Sequence, residues 1–169
     1  KAMGKNIGGS LLEESMIPVA LDLINKARMK NVNLVLPVDV ICAEKFDSQS
    51  MEGCYAIENI PRGVMGLDIG NETLKLFESI LSSSKTILWN GPMGVFEKKQ
   101  FSKGTEKLGK ILSKLALEDV KVVVGGGDTA AALELFGLNR GMTHVSTGGG
   151  ASLELLSGNS LPAIKSLEI

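Results

Sequence analysis

Residues 120–137 read VKVVVGGGDTAAALELFG, and their order predicts the fold. The block of valines between residues 120 and 124 is typical of a β-strand that is buried on both faces. Three glycines follow, and Asp128 and Thr129 then begin a segment rich in alanine and leucine, which favours a helix. Strand, glycine turn and helix in that order predict one unit of an α/β fold, with the turn at the carboxyl end of the strand.

Strand and helix patterns alternate along most of the chain. The predicted strands are residues 32–40 (VNLVLPVDV), 85–91 (KTILWNG), 120–124 and 143–147, with a short strand at 56–60 and a loop or short strand at 64–70. The predicted helices are residues 10–31, a helix capped by Asn71, 105–117, 129–136 and 151–156. Alternation at this spacing indicates right-handed crossovers. We therefore expect one α/β domain over residues 1–169, a three-layer Rossmann-like parallel sheet with helices on both faces.

Composition excludes several classes of protein. Lysine and arginine number 18 and acidic residues 19, so the net charge of −1 offers no surface for nucleic acid or for an anionic membrane. No apolar run approaches the roughly 18 residues of a membrane span. Cys42 and Cys54, with a single histidine in the chain, form neither a disulfide framework nor a zinc-ligand set. We expect a cytoplasmic protein, and because the chain starts at Lys1 rather than at methionine, we expect it to be part of a longer one.

Three predicted strands end in unusual sequence, namely WNGPMGVFE at 89–97, GGGDT at 125–129 and STGGGAS at 146–152. The two glycine triplets begin 23 residues apart, about one strand and one helix, so both helix starts should open on the same edge of the sheet. Unpaired N–H groups and the positive end of each helix dipole favour an anion there. A single triplet could simply form a tight turn, but two in matching positions predict a site for a chain of phosphates.

Asp128 beside such a cradle would repel phosphate unless a cation lay between them. Mg²⁺ is usually held by one or two carboxylates together with phosphate oxygens, which predicts Asp128 as a metal-binding residue. An ordinary helix N-cap is the alternative for Asp128. Thr129 is likewise a capping hydroxyl or a phosphate ligand.

Competing motifs are weaker. Residues 125–130 fit the dinucleotide pattern GxGxxA, but the acid expected about 20 residues later is replaced by Ser146-Thr147-Gly148. Residues 104–111 nearly spell a P-loop, yet Ile111 stands where a hydroxyl must reach Mg²⁺. Trp89 is predicted in the core. Glu97 could accept hydrogen bonds from ribose hydroxyls, or it could be an ordinary solvated side chain.

Five motifs in this order and spacing carry a family resemblance: LPVDV, MGLDIG, WNGPMGVFE, GGGDT and STGGGASLELL. Together they resemble the carboxyl-terminal, nucleotide-binding half of phosphoglycerate kinase, a two-domain kinase that closes about a hinge. The resemblance implies reversible phosphoryl transfer between 1,3-bisphosphoglycerate and MgADP, giving 3-phosphoglycerate and MgATP in glycolysis. It implies Mg²⁺ as cofactor, ADP or ATP as substrate, and a monomer.

The resemblance also implies the site residues. Those expected to contact the nucleotide are Gly66 and Leu67 at the adenine, Asn90, Gly91, Pro92 and Phe96 in the pocket, Glu97 at the ribose, and Gly125, Gly126, Gly127 and Thr129 at the phosphates. Asp128 would serve the metal. The residues expected to direct backbone N–H groups toward the transferred phosphoryl group are Gly148, Gly149 and Gly150.

The three glycine-bearing loops contain no lysine or arginine, although phosphoryl transfer normally needs cationic side chains. The resemblance implies that the cations come from an amino-terminal half, which also binds most of the phosphoglycerate, and from a lysine upstream of residue 1. We therefore expect the 169 residues alone to bind nucleotide weakly and to be inactive. The alternatives are a nicotinamide-dependent oxidoreductase domain and a non-catalytic nucleotide-binding module.

Overall fold

The computed structural model describes residues 1–167, so residues 168 and 169 of the predicted domain lie outside the described residues. The strands are β1 (Asp39–Ala43), β2 (Gly53–Ala56), β3 (Met65–Ile69), β4 (Thr86–Asn90), β5 (Lys121–Gly125) and β6 (His144–Ser146). The helices are α1 (Ile17–Met29), α2 (Asn71–Leu81), α3 (Lys103–Leu117), α4 (Gly127–Leu135), α5 (Gly149–Leu156) and α6 (Pro162–Lys165). Short 3₁₀ turns cover Glu14–Met16, Lys99–Phe101 and Asn139–Gly141.

A parallel sheet of order β4-β5-β6 forms the centre of the fold and confirms the predicted α/β class. Asn90 pairs with Gly125, and Gly125 pairs with Ser146, so the carboxyl ends of all three strands align. Val122 and Val124 of β5 are fully buried. They pack with Trp89, which confirms its core position, and with leucines of α3 and α4. Helix α3 begins two residues before the predicted start and ends where predicted.

A second sheet, antiparallel and of order β2-β1-β3, was not predicted. The expected strand at 56–60 is wrong, because the strand pairing with β1 covers Gly53–Ala56. Residues 64–70 do contain a strand, β3, which pairs with β1 on its other side. The pairing of β1 with β2 requires the chain to turn back on itself between these strands. No hydrophobic periodicity in the polar residues there indicates such a turn.

The predicted buried strand at 32–40 is also wrong for most of its length. Only Asp39 and Val40 belong to β1, and Val32 and Leu36 are 59% and 44% exposed. An apolar run becomes a strand only where neighbouring strands accept its hydrogen bonds. Within residues 1–167, no strand pairs with residues 32–38.

Helices α1 and α2 both start differently from the prediction. The α-helix expected from residue 10 begins at Ile17, with Pro18 at its second position. Asn71 is not the cap of α2 but its first residue. The cap oxygens come from Asp39 of β1, which accepts hydrogen bonds from the amides of Glu72 (3.1 Å) and Thr73 (2.7 Å). Burial opposes ionisation of Asp39, but the hydrogen bonds from the Thr73 side chain and from these amides outweigh it and lower the pKa.

Candidate functional site

The two glycine turns lie side by side at the carboxyl edge of the parallel sheet. The amide of Gly126 donates to the carbonyl of Ser146 (3.1 Å), which joins the turn after β5 to the end of β6. A Cβ placed on Gly149 would lie 2.6 Å from the Gly126 Cα and 2.8 Å from the Asn90 Oδ1. The three strand ends therefore meet in backbone contact, which confirms the predicted common edge.

Each turn opens a helix whose first amides have no acceptor within the helix. Gly126 is the N-cap of α4 with φ of 100° and ψ of 140°, a conformation that glycine adopts and residues with a side chain rarely do. The N-cap residue of α5 is Gly148, and its amide donates a hydrogen bond to the Ser146 hydroxyl (3.1 Å). The amides of Gly149 and Gly150 come next and belong to the first turn of α5. The amino ends of α4 and α5 thus lie side by side, an arrangement whose dipoles favour an anion.

Asp128 lies in the first turn of α4 with its side chain exposed. The helix has Gly126 as its N-cap and no side-chain cap hydrogen bond, so the capping alternative for Asp128 is wrong. Among residues 1–167, no group of three or more histidine, cysteine or acidic side chains could hold a metal ion by itself. The exposed Asp128 carboxylate nevertheless fits Mg²⁺, which is usually held by one or two carboxylates and takes its remaining ligands from phosphates and water.

Thr129 is placed differently from Asp128. Its side chain is only 1% exposed, and its hydroxyl accepts a hydrogen bond from the amide of Gly91 (2.8 Å). The Trp89 indole donates a hydrogen bond to the carbonyl of Gly91 (2.7 Å). These contacts fix the start of residues 91–97, hereafter the 91–97 loop. Thr129 therefore joins the 91–97 loop to the first turn of α4, and its direct contact with phosphate stays a prediction.

The 91–97 loop borders a cavity of about 380 Å³, whose wall includes the two residues predicted to contact adenine. Gly66, Leu67 and Met93 line this cavity, and the amide of Val95 donates to the carbonyl of Leu67 (2.9 Å). Phe96 is buried and Glu97, next to it, is exposed. Phe96 and Glu97 are not among the residues that line the cavity.

Sequence reasoning missed the contribution of the first twelve residues to this cavity. Ile7, Ser10, Leu11 and Leu12 line it, and the Ser10 hydroxyl accepts a hydrogen bond from the amide of Gly66 (3.0 Å). The contact joins residues 56 positions apart, so no local pattern predicts it. A helix was expected from residue 10, but here the chain runs without regular structure until Glu14.

Asp68 lies in the wall of the same cavity and is only 4% exposed. Its carboxylate accepts hydrogen bonds from the amides of Gly104 (2.7 Å) and Ile69 (2.8 Å), which joins β3 to the start of α3. Burial raises the pKa of Asp68 to about 6, and the two amide hydrogen bonds oppose this shift only in part.

We predict that this carboxyl makes the free energy of unfolding pH-dependent. Native Asp68 keeps its proton above the ordinary pKa of 3.8, up to about 6, whereas the unfolded chain has released it. The native state then binds more protons, so stability falls as the pH rises through this window, by up to ~3 kcal/mol from this group. Urea unfolding between pH 4 and pH 7 measures the fall. The Asp68→Asn variant should show a shallower slope, and an identical slope would contradict the prediction.

Comparison with known proteins identifies the family. A family model described as phosphoglycerate kinase matches residues 1–159. The chain belongs to the phosphoglycerate kinase family. Phosphoglycerate kinase of Trichodesmium erythraeum is 49% identical over 168 residues, which cover 99% of this chain and 42% of that protein. A relative from Nicotiana tabacum, named as the cytosolic phosphoglycerate kinase, is 48% identical over the same length.

Solved structures of the phosphoglycerate kinase family have the same fold. The structure from Coxiella burnetii superposes with a TM-score of 0.89 at 42% identity and covers 97% of this chain and 42% of its own. That from Pyrococcus horikoshii gives a TM-score of 0.72 at 30% identity. The chain thus spans about two fifths of the length of these relatives. Among residues 1–167, no helix has the length and apolar character needed to cross a membrane.

Proposed function

We propose that this chain is the nucleotide-binding carboxyl-terminal part of a phosphoglycerate kinase, over residues 1–169. The reaction is reversible transfer of a phosphoryl group from 1,3-bisphosphoglycerate to MgADP. The observation that carries the proposal is the close approach of Gly126 and Gly149, which places two helix N-termini side by side, with the exposed Asp128 carboxylate in the first turn of α4. Membership of the family and the solved structures support it.

The nucleotide would extend from the cavity to the glycine turns. Adenine would contact Gly66 and Leu67 in the cavity wall, and Glu97 would accept hydrogen bonds from the ribose hydroxyls. The phosphates would receive hydrogen bonds from first-turn amides of α4 and α5, whose dipoles favour negative charge. Asp128 would hold Mg²⁺, which when bound neutralises charge on the phosphate oxygens. No change of protonation at these groups is needed, because phosphoryl transfer depends on positioning and charge neutralisation.

The three glycine-bearing loops supply amide donors and one metal-binding carboxylate but no cationic side chain. The proposal therefore places the cations and most of the phosphoglycerate contacts in the part of the relatives that this chain does not cover. We also propose a monomer in the cytoplasm, and the name of the Nicotiana tabacum relative supports that location. Light scattering of the purified protein would test the monomeric state.

Two titrations followed by NMR amide shifts of the 169-residue chain test the proposal, because chemical shifts report millimolar binding and locate it. MgADP should shift the amides of residues 125–129 and 148–150. NADH should not, because the ribose-binding acid of the dinucleotide fold is absent. A preference for NADH would favour the oxidoreductase alternative. Binding of MgADP without turnover in a hybrid with the uncovered part of the Trichodesmium erythraeum enzyme would favour the non-catalytic module.

Glu97→Ala in the same hybrid should raise the KM for MgADP about tenfold to a hundredfold and leave kcat nearly unchanged. Loss of a charged hydrogen-bond acceptor at the ribose removes binding that is equal in the ground state and the transition state. Steady-state kinetics measure both constants. Glu118→Ala, also exposed but at the far end of α3, is the control and should behave as the unmodified hybrid. A fall in kcat at saturating MgADP would contradict the ribose assignment.

A further inference from the structure

We infer that Thr105 is a positioning residue for the 91–97 loop, holding the middle of that loop at the edge of the cavity. The inference rests on the proposed function, since it assigns the loop to nucleotide binding. Thr105 is the third residue of α3 and is fully buried. It lies in none of the five motifs that carry the family resemblance, and the resemblance assigns it no role.

The Thr105 hydroxyl accepts two hydrogen bonds from the 91–97 loop, from the amides of Met93 (3.0 Å) and Gly94 (3.2 Å). Within the described chain, neither amide has another acceptor. Met93 also lines the cavity together with Gly66 and Leu67. One hydroxyl therefore sets the backbone position of a residue that forms the cavity wall.

The other attachments of the loop lie on either side of Met93 and Gly94. Thr129 and Trp89 hold Gly91, and the carbonyl of Leu67 accepts the amide of Val95. Thr105 holds the two residues between them. Loss of its hydroxyl should therefore release the middle of the loop while both ends stay attached, so the effect should be local.

The packing around Gly94 shows how closely this part of the loop fits. A Cβ on Gly94 would lie 2.4 Å from the Asp68 Oδ1 and 2.6 Å from the Phe101 carbonyl oxygen. The loop thus cannot move further inward when the hydroxyl is lost. The two amides can regain hydrogen bonds only from water, and that requires the loop to move outward, into the space proposed for the nucleotide.

Thr105→Val tests the inference because it keeps the side-chain shape and removes the hydroxyl. We expect the Kd for MgADP, measured from NMR amide shifts of the 169-residue chain, to rise about tenfold, as expected when two hydrogen bonds to the loop are lost. Thr105→Ser keeps the acceptor and should bind nearly as the unmodified chain does. Hydrogen exchange of the Met93 and Gly94 amides, measured without nucleotide, should accelerate in the valine variant and not in the serine variant.

Thr143→Val is the matched control. The Thr143 hydroxyl accepts a hydrogen bond from the amide of Val122 (3.0 Å), near the amino ends of β5 and β6 and opposite the site. Its loss should leave the Kd unchanged even if thermal stability falls. Thr105→Ala replaces Thr105→Val if the valine variant does not fold, since alanine adds no methyl group that must fit.

Each outcome separates the inference from the proposed function. Binding of MgADP by the unmodified chain, weakened in Thr105→Val and restored in Thr105→Ser, supports both. Equal Kd values for the unmodified chain and Thr105→Val would overturn the positioning role and leave the proposed function in place. Absence of MgADP-dependent shifts in the unmodified chain would overturn the proposed function and the positioning role together. Unchanged exchange of the Met93 and Gly94 amides would overturn the positioning role whether or not nucleotide binds.

Discussion

Asp128→Ala is expected to lower kcat about a hundredfold or more in the hybrid with the uncovered part of the Trichodesmium erythraeum enzyme. The carboxylate is exposed, lies in the first turn of α4 and caps no helix, so its removal costs no packing and no cap. What is lost is the proposed contact to Mg²⁺, whose charge neutralisation matters most in the transition state. Steady-state turnover at saturating MgADP measures the effect, and thermal unfolding should be unchanged.

Glu134→Ala is the control for this substitution. Glu134 is also an exposed acid on α4, but it lies in the last turn, away from the glycine turn. The variant removes the same charge from the same helix and should retain full turnover. Asp128→Asn should resemble Asp128→Ala, since an uncharged amide is a poor substitute for a carboxylate on Mg²⁺. Normal turnover in both Asp128 variants would exclude Asp128 as a metal-binding residue.

Gly149→Ala is expected to destabilise the chain by ~1–3 kcal/mol and to weaken MgADP binding strongly. The added Cβ would lie 2.6 Å from the Gly126 Cα and 2.8 Å from the Gly126 nitrogen, and backbone atoms can yield only if the two turns separate. Separation would break the hydrogen bond from Gly126 to Ser146 and pull the two helix starts apart. Urea unfolding and an NMR titration with MgADP measure the two effects.

Gly150→Ala is a close control for Gly149→Ala. A Cβ on Gly150 would find no atom within 4 Å, and the residue lies inside α5, where alanine is favoured over glycine by about 1 kcal/mol. Both variants keep their backbone N–H groups and add one methyl group, so they differ only in what that methyl group contacts. Gly150→Ala should be as stable as the unmodified chain or more so. Equal stability of the two variants would contradict the close approach of the turns.

Local sequence predicted well the elements whose partners are neighbours in the chain. The order of strand, glycine turn and helix follows from β-branched residues, glycine and alanine in succession, although the strand ends at Gly125 and the helix begins at Gly127, two residues before its predicted start. The same reasoning at β4 and β6 predicted that the strand ends align, and the register of Asn90, Gly125 and Ser146 confirms it. The paired residues of these strands lie 35 and 21 positions apart, but a strand–helix–strand unit places its second strand parallel to the first by a right-handed crossover, so the alternation of strand and helix patterns is enough to predict the pairing.

Residues 32–38 and the antiparallel sheet were beyond local reasoning. The apolar pattern of 32–38 reports the tendency to be buried, but burial as a strand needs a partner whose position the pattern does not contain. The pairing of Asp39 with Ala56 and with the start of α2 joins segments 17 to 34 residues apart. Asn71 is a residue type common at helix caps, but it does not cap α2. The amide of Glu72 in the first turn donates instead to the carboxylate of Asp39.

The sequence by itself determined which groups this protein can offer, namely two glycine turns, an acid beside one of them and a fold that brings both turns to one edge. Tertiary structure alone decided which groups remain free for that chemistry. Asp128 is available because Gly126 caps the helix, whereas the Thr129 hydroxyl is engaged by Gly91. The physical reason is that the hydrogen bonds and the burial of a side chain in the folded chain depend on residues far apart in sequence. Charge, glycine content and hydrophobic periodicity, by contrast, are properties of each segment alone.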